Sequence, residues 1–170
     1  MVGSGFHSVP LLKWKLRAAC IDDANTLAMI DATASPHPWS ESQFIAICSD
    51  LTSSSLNPCS ERIQVLVEDD DICGFVVYSQ VVGEGSIHSI VVSPLWQGQG
   101  KGSLLLQGAL DVLSRNGASC CQLEVRESNT VARGMYERFG FHLDGIREKY
   151  YPMANGREDA LLLSKSLPQP

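Results

Sequence analysis

No stretch of apolar residues in this 170-residue chain is long enough to cross a bilayer. Nothing near Met1 has the build of a signal peptide: Val9-Pro10-Leu11-Leu12 is too short an apolar core and runs straight into Lys13 and Lys15. Charged residues make up 19% of the chain against 44% hydrophobic, which excludes a disordered tail and a coiled coil. There is no CxxC, and the four histidines, at 7, 37, 88 and 142, form no HxxxH pair, so no metal site is expected. The six cysteines, at 20, 48, 59, 73, 120 and 121, lack the spacing of a disulfide framework and read as small buried hydrophobes of a reducing compartment. An excess of base is also missing: the net charge is −6, which argues against a nucleic-acid partner. The expectation is a soluble cytoplasmic protein with no metal, no membrane and no nucleic acid.

What is present is one domain's length of chain with enough apolar residues for a sizeable core. Residues 1–12 read as a loose N-terminal extension and 13–168 as a single domain. The charge is uneven. Residues 1–20 carry +3, 21–85 carry −10 and 86–170 carry +1. That distribution suits a solvated acidic surface, and it also suits a cationic substrate on one side and an anionic cofactor on the other. Trp14, Leu16 and Ala18 alternate as a strand, Asp22 or Asp23 can cap a helix ending near Ala34, and Ser40 precedes a second helix bearing Phe44, Ile47 and Cys48. Residues 52–60 are a small-polar loop. Strands follow around Ile63 to Val67, Ile72 to Val82 and Ile87 to Val92, with turns at Asp69-Asp70-Asp71 and Gly83-Glu84-Gly85. A helix carries Leu105, Ala109, Val112 and Leu113. Cys121, Leu123 and Val125 mark a strand, and Asn129 starts a helix that Gly140 stops. Phe141 to Tyr150 and Ala160 to Leu163 read as two last strands about Asn155-Gly156. The order implies a mixed α/β sheet.

The most informative stretch joins the strand ending at Val92 to the helix beginning near Leu104. Its glycines let successive N–H groups converge on one point, and the helix start adds unpaired N–H groups and the positive end of its dipole. Such a turn is either a plain helix entry or a site for a phosphate or pyrophosphate. A Walker loop does not fit: the position five before Gly100 is Leu95, and Gly102 follows Lys101. A dinucleotide GxGxxG does not fit either, because it would end on Ser103 or Leu105.

Gln97-x-x-Gly100-x-Gly102 resembles the acetyl-CoA pyrophosphate loop of the GNAT acetyltransferase superfamily. Leu123-Glu124-Val125-Arg126-x-Ser128-Asn129 and Met135-Tyr136-Glu137-x-x-Gly140-Phe141 resemble the second half of that fold. His37-Pro38-Trp39-Ser40, Tyr150-Tyr151-Pro152 and Asn155-Gly156-Arg157-Glu158-Asp159-Ala160 are similar to its RimI branch, and the likeness covers roughly residues 14–167. It implies a central mixed, mostly antiparallel sheet of about seven strands flanked by about four helices. It also implies acetyl-CoA as cosubstrate and, as acceptor, a protein N-terminus, typically alanine on a ribosomal protein. A monomer or weak dimer is expected. An enzyme acting on a small amine or a lysine side chain, and a CoA-binding module without turnover, are the alternatives.

Acetyl transfer from a thioester to an amine needs a modest base, since an α-amine has a pKa of about 7.7–8.0. It also needs donors for the oxyanion, an acid for the departing thiolate, and both reactants held together. Glu124 projects from the side of its strand opposite Cys121, Leu123 and Val125, and serves either as base or in a salt bridge, with Arg126 as candidate partner. The resemblance makes Glu124 the base. It likewise makes Tyr136 the acid, where helix spacing alone describes a core tyrosine. Asn129 caps its helix and, by the resemblance, bonds the pantetheine arm. The backbone of Ile90, Val91 and Val92 pairs with that arm as an added strand would, and Gln97, Gly98, Gln99, Gly100, Lys101, Gly102 and Ser103 hold the pyrophosphate. Gly98 stands where relatives often have arginine, which shifts weight onto backbone donors. Trp39, Tyr150 and Tyr151 are candidate walls for the acceptor, or loop anchors. Glu84 is a candidate for negative potential near the amine, or a solvated turn residue. His88 is a second base or a plain strand residue.

Overall fold

The structure, a computed structural model, describes residues 14–50 and 61–168. The expectations for residues 1–12, for the 52–60 loop and for Cys59 lie outside the described residues. Seven strands form one sheet: β1 (Trp14–Ala18), β2 (Arg62–Glu68), β3 (Asp71–Val81), β4 (Glu84–Val92), β5 (Cys120–Arg126), β6 (His142–Met153) and β7 (Gly156–Ser166). Their order across the sheet is β1-β2-β3-β4-β5-β7-β6. Only β4 and β5 run parallel; every other neighbour is antiparallel. Among the described residues four α-helices accompany it: α1 (Ala24–Ala34), α2 (Glu41–Asp50), α3 (Lys101–Arg115) and α4 (Thr130–Arg138).

The sheet is covered on both faces, so its central strands are apolar on both sides. On β3, Val76 and Tyr78 pack with Leu105, Leu106, Ala109 and Leu113 of α3, while Phe75 and Val77 pack with Leu27 of α1 and Phe44 of α2. Phe44 is fully buried, with its ring edge-on to Phe75 at 5.3 Å and tilted against Trp39 at 5.7 Å. Phe44→Ala is expected to cost about 3–5 kcal/mol, the transfer term plus the cavity left between the Trp39 and Phe75 rings. Denaturant unfolding checks this; a loss under about 1 kcal/mol would mean that this face of the sheet repacks.

Four local expectations are corrected. The β3–β4 turn is Val82-Gly83, with φ of 46° and 81°, and not Gly83-Glu84-Gly85; Glu84 already lies in β4. A two-residue turn with both φ positive matches the twist of its strands, and here that geometry outweighs the resistance of a β-branched residue. Asp23 does not cap α1 with its side chain. Its carboxylate accepts two hydrogen bonds from Arg17, at 2.6 and 2.8 Å, and one from the Cys20 N–H at 2.8 Å, and the Arg17 guanidinium holds its pKa down at about 2. Among the described cysteines Cys48, Cys73 and Cys121 are buried, but Cys20 is exposed. The two final strands run longer than their apolar residues predicted, because backbone pairing continues through polar positions.

Candidate active site

The site begins where two parallel strands part. β4 and β5 pair from Glu84↔Cys120 to Ile87↔Leu123 and no further. On the other edge of β4, Val77 faces Ser89 while Tyr78 faces Ile87, so His88 is an extra residue, a bulge. A bulge bends and twists its strand. It also swaps the faces. Ile87 packs with the α3 core, but beyond the bulge it is Ile90 and Val92 that pack there, and Val91 turns to the α1–α2 side. Residues Ile90 to Val92 keep their ladder to β3, through Val76, Phe75 and Gly74. Among the described residues no strand pairs with their other edge. β5 meanwhile stays paired with β7 as far as Arg126. The result is a V-shaped gap, whose β4 side is a backbone edge that no strand among the described residues covers.

The glycine loop stands at the mouth of this gap. Gln97 donates from Nε2 to the Val92 carbonyl at 2.9 Å, and Gln99 from Nε2 to the Leu95 carbonyl at 3.2 Å. Both side chains therefore brace the loop. Gly98 and Gly100 have φ of 73° and 77°, and the space a Cβ would take at either is empty to 4 Å. Gly100 is the N-cap of α3, and its carbonyl accepts from the Ser103 N–H at 3.1 Å and the Leu104 N–H at 3.3 Å, which leaves the N–H groups of Lys101 and Gly102 at the helix start for a ligand. This open, N–H-lined cradle fits a diphosphate. Lys101 belongs to this loop by its backbone, and its side chain is engaged elsewhere. It is buried, its ammonium bonds the Glu68 carboxylate on β2, and it lies 5.3 Å over the Trp96 ring. The cradle offers backbone and helix dipole, with the lysine charge turned underneath. Gly100→Val is expected to raise KM for acetyl-CoA at least about tenfold, with kcat at saturation within a few-fold. It forces a side chain onto a positive φ and into the cradle. Steady-state kinetics decide it, and an unchanged KM would remove the loop from coenzyme binding.

Glu124 projects as expected, opposite the buried Cys121, Leu123 and Val125. It opens into a cleft of about 460 Å³ shared with Ser86, His88, Gln122, Asp144, Arg147 and Tyr151. Its salt-bridge partner is Arg147 on β6, with Nη1 at 3.0 Å from Oε1, and not Arg126. Arg126 instead bonds Glu158 at 2.6 Å and lies 4.4 Å over the Tyr151 ring. His88 lines the same cleft, with Nε2 at 2.8 Å from the buried Ser79 hydroxyl. Tyr136 sits on the other face of the sheet, buried, with its ring edge-on to Phe141 at 5.7 Å. Burial, with smaller contributions from Cys121 and Tyr151, pushes its phenol up to about 12. Among the described residues no group hydrogen-bonds its hydroxyl. Asn129 caps α4, its side chain accepting from the Ala132 N–H at 3.1 Å.

On the β6 side of the cleft Tyr150 and Tyr151 come together, with ring centroids 5.0 Å apart and nearly perpendicular. Arg147 lies 5.1 Å over Tyr150, so Glu124, Arg147 and Tyr150 form one chain of contacts. Burial, then Glu124, raises the Tyr151 hydroxyl above its ordinary pKa. The loop between α1 and α2 meets the β6–β7 hairpin. Pro36 and His37 line an open groove with Arg126, Pro152, Met153, Ala154 and Glu158. Trp39 is half-buried on Phe44 and fixes that loop from behind, its backbone N–H donating to the buried carboxylate of Asp31 at 2.7 Å. Burial raises that carboxylate above its ordinary pKa, against the Trp39 hydrogen bond. Glu84 is not brought to the site. It pairs with Cys120, four residues before Glu124, about 13 Å back along the strands. Sequence reasoning missed Arg147, Glu158 and Glu68. The -Gly-Arg-Glu-Asp-Ala- run was the available signal for Glu158.

The family model for the acetyltransferase (GNAT) family matches residues 24–141. The chain is 35% identical over 135 residues to the ribosomal protein bS18-alanine N-acetyltransferase of Escherichia coli K12, covering 79% of this chain and 85% of that protein. It is 32% identical over 143 residues to the protein of the same name from Haemophilus ducreyi, covering 84% of this chain and 92% of that one. The crystal structure of the ribosomal-protein-S18-alanine N-acetyltransferase from Escherichia coli superposes with a TM-score of 0.79 at 29% identity, over 92% of this chain and 96% of that chain. Ard1 from Thermoplasma volcanium, at 19% identity, shares the fold with a TM-score of 0.78 over 93% of this chain and 100% of its own. GNAT acetyltransferases draw the acetyl group from acetyl-CoA. No helix among the described residues is long and apolar enough to cross a membrane. The chain therefore belongs to the GNAT acetyltransferase family, in its RimI-like branch, and is an N-acetyltransferase.

Proposed function

We propose that this enzyme moves the acetyl group of acetyl-CoA directly to the α-amine of a protein N-terminus, with the N-terminal alanine of a ribosomal protein as acceptor. The observation that carries the reading is that Glu124 opens into a cleft at the point where β4 and β5 part, so a carboxylate borders the free backbone edge of β4. The names of the bS18-alanine N-acetyltransferases it resembles supply the acceptor class.

In this reading acetyl-CoA, when bound, supplies the activated acetyl group, and the chain's own residues do the rest. The loop from Gly98 to Ser103 holds the diphosphate through its free N–H groups, and the edge of Ile90, Val91 and Val92 holds the pantetheine arm as an added strand. Asn129 uses its amide N–H on that arm, since its oxygen is taken by Ala132. A backbone N–H of the β4 edge donates to the oxyanion. Glu124, through a water, removes the proton of the incoming amine. Tyr136, kept protonated by its burial, gives its proton to the departing sulfur. Tyr150 and Tyr151 wall the acceptor, and Trp39 holds the loop opposite them.

The test is a peptide panel incubated with acetyl-CoA and read by mass spectrometry. A peptide beginning with free alanine should gain a single acetyl group at its α-amine, and the same peptide with that amine blocked should gain none. Acetylation of lysine on the blocked peptide at a comparable rate would replace this reading with a lysine or small-amine acetyltransferase.

A further inference from the structure

The hairpin that carries Tyr150 and Tyr151 is not a regular ladder. Arg147 faces Ala160 and Tyr151 faces Glu158, so Glu148, Lys149 and Tyr150 stand against the single residue Asp159. Two surplus residues are accommodated by a bulge whose centre, Lys149, has φ of 51°. A long side chain rarely adopts that left-handed conformation unless its surroundings hold it there. Here they do. Asp159 accepts the Lys149 N–H on Oδ1 at 2.7 Å. Arg157 donates from Nε to the Lys149 carbonyl and from Nη2 to the Tyr150 carbonyl, each at 2.6 Å. Side chains of β7 thus take the polar groups on both sides of the left-handed residue.

The bulge has a consequence for the cleft. In an unbroken strand, residues 150 and 151 would point to opposite faces of the sheet. Here their rings touch, and Arg147, which is bonded to Glu124, also lies over Tyr150. From this geometry we infer that Arg157 and Asp159 are positioning residues: by clamping the bulge they bring Tyr150 and Tyr151 together beside Glu124 to receive the acceptor. This rests on the reading of the two tyrosines as the acceptor's wall.

The test uses the full chain, an alanine-terminated peptide and acetyl-CoA, with KM measured for each substrate. Asp159→Ala should raise the peptide KM about tenfold and leave the acetyl-CoA KM within about twofold. Asp159→Asn keeps a carbonyl oxygen for the Lys149 N–H and should stay within about threefold of the parent. Adding Lys149→Gly to Asp159→Ala should recover most of the peptide KM, because glycine adopts a positive φ without a clamp. Tyr150→Ala, run alongside, separates the two ways of failing. If it raises the peptide KM while Asp159→Ala does not, the positioning role is overturned and the acceptor wall stands. If neither variant raises it, the wall is overturned and the positioning role with it. Equal rises in both KM values that Lys149→Gly does not reverse would mean general damage, and would also overturn the proposal.

Discussion

Glu124→Gln is expected to lower kcat by about two to four orders of magnitude, the range that removal of a positioned general base produces. The KM for acetyl-CoA should stay within a few-fold, because the side chain faces the acceptor cleft and not the glycine cradle. Glutamine keeps the shape and one carbonyl oxygen but cannot accept a proton at neutral pH. The cost to the fold should be small. The pair that Glu124 forms with Arg147 is partly exposed on both sides, with 51% of the arginine side chain and 32% of the glutamate side chain accessible. Such pairs contribute about 0–1 kcal/mol. A melting curve close to the parent's, beside a collapsed turnover, is the expected combination. Full activity of the variant at pH 7 would take the base away from Glu124, and His88, lining the same cleft, would be the next residue to test.

Tyr136→Phe is expected to lower kcat about a hundredfold while binding acetyl-CoA normally. The hydroxyl has no hydrogen-bond partner among the described residues, so its removal should change stability by no more than about 1 kcal/mol. The sign of the pH effect follows from the raised pKa. Burial disfavours the phenolate, so the phenol stays protonated until pH approaches about 12. The deficit of the variant should therefore be constant between roughly pH 6 and 9. Parallel pH–rate profiles for parent and variant check this. Profiles that converge at alkaline pH would mean that the hydroxyl acts through a lower pKa than its burial implies, and an unaltered kcat would place the acid elsewhere.

Local patterns in the sequence reached a good part of this site. The alternation on β5 sends Cys121, Leu123 and Val125 inward and Glu124 outward, and that alternation depends only on strand geometry. The glycine cradle was legible for a similar reason, since positive φ and an approach without side chains are what glycine provides at Gly98 and Gly100. What could not be read depends on pairings far apart in the chain. The pairing of the Lys101 ammonium with Glu68, 33 residues earlier on another strand, has no local signal. Glu124 was matched to Arg126, two residues along its own strand; the actual partner, Arg147, is set by the β5–β7–β6 register. Glu84 stood open between negative potential near the amine and a solvated turn residue; it begins β4, and the strand parts from β5 only after Ile87. The parting itself follows from the bulge at His88, which has no glycine or proline to announce it. The tyrosine pair was visible as a motif, but its convergence on Arg147 depends on Asp159 and Arg157 closing hydrogen bonds across a hairpin.

Every role proposed for these side chains requires acetyl-CoA to seat in the gap between β4 and β5 and in the cradle above it. Calorimetric titration of the purified chain with acetyl-CoA tests that most directly. One coenzyme should bind per chain, displaceable by CoA, and binding should weaken as salt is added because the diphosphate is held by N–H groups and a helix dipole. A titration with no heat of binding, confirmed by equilibrium dialysis that retains no coenzyme, would contradict it.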